Sequence, residues 1–90
     1  MSLGDMMMLL KLRRGRYSLV EEKIPKGASA VGMTIKDLQV PANSVIAAVI
    51  RHGQILIPRG DTRFEVGDEV LAIVDHEAAG KLAALFERPK

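Results

Sequence analysis

The sequence predicts an α+β fold: a small β-sheet with helices packed on one face, in the order β-α-β-β-β-α. Three observations predict it. The runs Val45–Ile50 and Ile55–Ile57 are apolar and rich in β-branched residues, which suit a pleated sheet. Ala78, Ala79, Leu82, Leu85 and Phe86 recur at three- and four-residue intervals, the single stripe of a helix lying on a core. Pro25-Lys26-Gly27, Pro41-Ala42-Asn43 and Gly67-Asp68 cut the remaining chain into short elements.

Taken in order, Tyr17–Ile24 reads as the first strand. Val20, Glu22 and Ile24 share one face, and Glu21 and Lys23 the other. Pro25 ends it, and Ala28–Gly32 is a small-residue connector. Thr34-Ile35-Lys36-Asp37 has the form of a helix start with Thr34 as cap. Val40 precedes Pro41 and is driven to an extended conformation, so this helix is short. Val45–Ile50 and Ile55–Ile57 form a hairpin about His52-Gly53, where Gly53 tolerates positive φ. Phe64–Val66 is a short extended segment. Gly67-Asp68 turns the chain into the strand Glu69–Val74, and Asp75 caps the last helix. Val45–Ile50 is apolar at every position, so both of its faces need cover. The helices cover one. A second copy of the chain is expected on the other.

Composition narrows the function. Ninety residues with 48% apolar content make one small globular domain with an aliphatic core. No cysteine is present, which excludes disulfides, thiolate metal sites and a cysteine nucleophile. The longest apolar run is six residues, far short of the ~20 of a membrane-spanning helix, so no direct membrane insertion is expected. The pI of 9.2 comes from one end of the chain. Lys11, Arg13, Arg14 and Arg16 are opposed only by Asp5 in the first sixteen residues. From Tyr17 onward nine Lys/Arg face ten Asp/Glu, a net of −1. Residues 1–16 therefore read as a cloning remnant and a solvated basic linker dispensable for folding, and residues 17–90 as the domain.

The spaced pattern Val31-Gly32-Met33-Thr34-Ile35-Lys36-Asp37-Leu38, then Val45–Arg51, Ile57-Pro58 and Phe64–Leu71 resembles the TrkA-C (RCK-C) domain. That domain is the C-terminal regulatory lobe of potassium-uptake and related transport proteins. The resemblance covers roughly Tyr17–Phe86. It implies an α+β fold, a homodimer and a cytoplasmic location at the inner face of the membrane through a transporter partner. It also implies a nucleotide-binding lobe upstream, although no Gly-x-Gly-x-x-Gly turn occurs in this sequence. The same lobe also serves other cation/proton or anion transporters. Some relatives bind cyclic di-AMP or divalent cations near the dimer interface. The resemblance implies a cyclic dinucleotide or another small effector held near Ile35, Leu38, Asn43 and Pro58, with Arg51 and His52 at the strand end. Gln39 stands where a basic residue would neutralise phosphate.

The residues offer structural readings beside these. Arg51 either pairs with a loop acid such as Asp68 or presents its guanidinium fork to an anion. His52 suits a solvated turn, and His76 an exposed first helical position. Asp61, Asp68 and Asp75 fall in three separate turns, where capping explains them better than a cation site, so no metal is expected. No acid–base pair or nucleophile set suggests an enzyme. A nucleic-acid module would need the aromatic platforms this chain lacks, so no nucleic-acid partner is expected.

Overall fold

The computed structural model describes residues 6–88. The strands are β1 (Met7–Leu12), β2 (Tyr17–Lys23), β3 (Ser44–Arg51), β4 (Gln54–Leu56) and β5 (Glu69–Asp75). The helices are α1 (Ile35–Leu38) and α2 (His76–Phe86). All strands join one antiparallel sheet in the order β1-β2-β5-β3-β4.

Local chemistry explains most elements. Thr34 Oγ1 accepts from the Asp37 amide at 3.3 Å and caps α1. Gln39 then stops the helix at φ 56°. Asp75 Oδ1 accepts from the Ala78 amide at 2.7 Å and caps α2. His52 (φ 52°) and Gly53 (φ 74°) close the β3–β4 hairpin with two left-handed residues, as a tight primed turn requires.

Two elements differ from the sequence-based expectation. Met7–Leu12, read as part of the remnant and basic linker of residues 1–16, is an edge strand paired to β2 from Met7↔Glu21 to Leu12↔Tyr17. Its Met-Leu run carries no alternation, because Met7 to Lys11 are all exposed and no buried face imposes a period. Phe64–Val66 is not a strand of the sheet. Phe64 makes an isolated bridge to Val31, and Arg63 one to Thr34. The extreme N-terminal remnant lies outside the described residues.

The core sits between one sheet face and α2. Directly opposed residues of antiparallel strands share a face. Val20, Ala72 and Ile46 form one cross-strand row beneath α2, and Glu22, Val70, Val49 and Leu56 the next. Leu82, Ala83 and Phe86 of α2 close over them. Phe86 meets Phe64 edge-to-face, with ring centroids 5.3 Å apart. Val20, Glu22 and Ile24 are all buried, as their shared face predicted.

Candidate functional site

Three features outside the core combine chemistry with accessibility. The first is the end of β3. Arg51 Nε donates to Asp68 Oδ1 at 2.9 Å and Nη2 to Asp68 Oδ2 at 2.8 Å, a bidentate pair. Nη2 also donates to the Arg63 carbonyl at 2.8 Å, and Nη1 meets Glu65 Oε2 at 2.9 Å. Asp68 is 1% exposed and its Oδ2 also accepts from the Glu65 amide. Burial pushes the Asp68 carboxyl up. The Arg51 hydrogen bonds, the Glu65 amide and the charges of Arg51 and His52 outweigh it and hold the carboxyl below its ordinary value. The bond to Asp68 in turn raises Arg51, against desolvation, with the charges of Asp68 and Glu65 adding to it. Arg51 thus makes the ion pair weighed in the sequence, and this network ties the β3 hairpin to the loop preceding β5. His52 lies exposed in the turn beside it.

The second feature is a hollow of about 250 Å³ between α1 and the start of β3. Ile35, Val40, Ile46 and Pro58 give it apolar walls, and Ser44, Arg59 and Gly60 its polar rim. The structure brings Ile35 and Pro58 together here. Leu38 turns into the core, and Gln39 is an exposed cap residue. Asn43 faces a different hollow, with Arg16, Tyr17, Asp75 and His76, and its carbonyl accepts from the Asp75 amide. Arg59 is the residue that sequence reasoning missed. It places a cation at the rim where Gln39 offers none. A lone arginine in the polar loop Pro58–Arg63 carries no pattern that marks it.

The third feature is the sheet face turned away from α2. Register places Leu10, Leu19, Ile73 and Val45 in one row across four strands. Leu71 and Ala48 lie in the next row, and Ile50 and Ile55 in the one beyond. Val45 is 60% and Ile55 71% exposed. These eight apolar positions over the sheet make a face of roughly 260 Å², a contiguous patch of the kind that often serves interaction. Glu21, Lys23 and Glu69 bring charge to one side of it. Among the described residues no group of His, Asp and Glu side chains is arranged to hold a metal ion. No described helix is long and apolar enough to cross a membrane.

The hairpin ending in Arg51, the Gly67-Asp68 turn and the order of strands and helices form one pattern, and the TrkA-C domain sequence profile matches it over residues 19–87. The chain belongs to the TrkA-C domain family. A Trk system potassium uptake protein TrkA homolog of Archaeoglobus fulgidus is 39% identical over 75 residues. That match covers 83% of this chain and 17% of the relative, so the chain spans about one sixth of that protein's length. The GsuK RCK domain has the same fold, with a TM-score of 0.77 at 18% identity. It covers 94% of this chain, which is matched to 19% of that structure. The RCK_C domain dimer of S. agalactiae BusR in complex with c-di-AMP superposes with a TM-score of 0.65 at 20% identity, over 73% of this chain and 91% of that one. The five-stranded sheet with two helices is the architecture that this TrkA-C domain shares with those structures.

Proposed function

We propose that this TrkA-C domain is a dimerising, ligand-sensing regulator of a Trk-type potassium uptake protein. The observation that carries this reading is the apolar face Leu10-Leu19-Ile73-Val45, which neither described helix covers. A twofold axis buries that face against its own copy without new sequence. The proposed unit begins at Tyr17, with β1 added along its edge. It works on the cytoplasmic side of the membrane, after a nucleotide-binding lobe and through a transporter subunit. Its role is conformational rather than catalytic.

The proposed effector site is the hollow beside α1. A flat, apolar base fits against Ile35, Val40, Ile46 and Pro58, and Arg59 faces a phosphate. Leu38 supports Ile35 from the core side, Gln39 ends α1, and Asn43 faces the neighbouring hollow. Arg51 and His52 hold the hairpin end, Arg51 through Asp68 rather than through the ligand. An effector bound at a pair of such sites shifts dimer geometry by its differential affinity for two arrangements.

Calorimetric titration of the chain with cyclic di-AMP tests the site. The expected result is saturable binding with one ligand per pair of chains. Arg59→Gln weakens it about tenfold, the loss of one charge-assisted contact. No heat from the parent chain, or equal binding by the Arg59 variant, rejects this effector site and leaves the dimer to its own test.

A further inference from the structure

The hairpin β1–β2 carries a second surface, on the opposite edge of the sheet from β4. Its loop is Arg13-Arg14-Gly15-Arg16, closed by the pair Leu12↔Tyr17. Arg13 (φ 52°), Arg14 (φ 58°) and Gly15 (φ 89°) are three consecutive left-handed residues. Glycine or asparagine suits such positions, whereas arginine is disfavoured there. The arginine side chains gain no acid partner among the described residues in exchange. All are exposed. The side chains of Arg13, Arg14 and Arg16 border one open hollow of about 470 Å³. Lys11 adds a fourth exposed cation from the strand. On the same hairpin Met7, Met8 and Leu9 are 58%, 51% and 44% exposed, beside Leu10, which belongs to the apolar face. Leu9 sits at the irregularity between Met8 and Leu10, without a paired partner on β2.

We propose that the β1–β2 hairpin adsorbs to an anionic lipid bilayer, its basic turn among the headgroups and its exposed Met7, Met8 and Leu9 side chains at the acyl boundary. Charge complementarity selects the partner: four exposed cations attract an anionic surface, each strengthening adsorption. The aliphatic side chains distinguish a bilayer from nucleic acid. They gain from burial in a lipid interface but meet no stacking partner on a phosphate backbone, and the hairpin offers Tyr17 alone as an aromatic. The surface is peripheral, consistent with the absence of a spanning helix among the described residues. It is separate from the effector hollow and stands whether or not an effector binds.

Flotation of the 90-residue chain with phosphatidylcholine vesicles, and with phosphatidylcholine–phosphatidylglycerol vesicles, tests this. The expected result is partition into the anionic vesicles only, weakening as salt is raised. Each arginine lost weakens partition roughly fivefold, so replacing all three loop arginines by Gln weakens it on the order of 100-fold. Leu9→Gln weakens the binding that survives at high salt. Arg14→Gly separates binding from folding, because it relieves a left-handed arginine. Its thermal midpoint stays level or rises while its partition falls. Partition unchanged by the three Gln substitutions overturns the proposal. So does indifference to lipid charge, or a chain that binds duplex oligonucleotide and leaves the vesicles.

Discussion

Arg51→Met isolates the network at the end of β3. The substitution keeps a long apolar stem and removes every guanidinium contact. Asp68, at 1% exposure, then keeps only the Glu65 amide at 2.9 Å and loses its bidentate partner. Removing one partner of a buried pair costs 3–5 kcal/mol in general. The Arg51 side chain is 22% exposed and Asp68 retains one donor, so the low end applies, about 3 kcal/mol. For a domain of this size that is roughly 12–24 °C in thermal midpoint. Urea titration of parent and variant at one protein concentration measures it.

The pH dependence gives the sign. The Asp68 carboxyl is held below its ordinary value in the folded chain. Its contribution is fully present above the unfolded value near ~3.9 and is lost as pH falls through the lower folded value. In Arg51→Met the cation is gone, and burial pushes the carboxyl up against only the Glu65 amide and the charge of His52. The gap between parent and variant is therefore widest near neutrality and narrows in acid. A gap below about 1 kcal/mol at neutral pH, or one that widens in acid, refutes the assignment of this pair as a structural lock.

Three further outcomes follow from the same geometry. Glu65→Gln costs less than about 1 kcal/mol in urea titration, since Glu65 is 57% exposed and water screens its bond to Arg51. Gly67→Ala costs about 1 kcal/mol or more, because Gly67 sits at φ 88°. A Cβ there meets no atom within 4 Å, so any loss seen by denaturation is a backbone effect. Deleting residues 1–12 lowers the thermal midpoint by only about 5 °C, since most of β1 is solvent-facing, and failure of the shortened chain to fold shows that β1 is integral.

The elements legible in the sequence were those whose signal is local or periodic. Thr34 and Asp75 announce their helices because a cap oxygen has one task, satisfying free amides. His52-Gly53 marks its hairpin because two left-handed residues leave few choices. The uncovered sheet face was legible as a need, since every residue of Val45–Ile50 is apolar, but its extent was not. It took the register Leu19↔Ile73↔Val45 to show that three distant segments build one row. β1 was illegible because Met, Leu, Lys and Arg favour no strand and the exposed run lacks a period. The extended look of Phe64–Val66 came from alternation alone. Phe64 is buried by packing on Phe86, not by pairing within the sheet. Of the candidate site, Ile35 and Pro58 meet, while Leu38, Asn43 and Arg51 are turned elsewhere by the core, the Asp75 amide and Asp68. Spacing along a chain does not reveal such directions.

The central claim is that the face bearing Leu19, Leu71, Ile73 and Val45 joins two copies of the domain. Sedimentation equilibrium of the parent chain and of Val45→Lys measures it most directly. Val45 is 60% exposed, so lysine there leaves the protomer fold intact, which circular dichroism checks, and sets a charge within the interface. At micromolar concentration the account predicts about twice the chain mass of 9.8 kDa for the parent and a single chain mass for the variant. A parent that remains a monomer at high concentration, or a folded Val45→Lys chain that dimerises as the parent does, contradicts it.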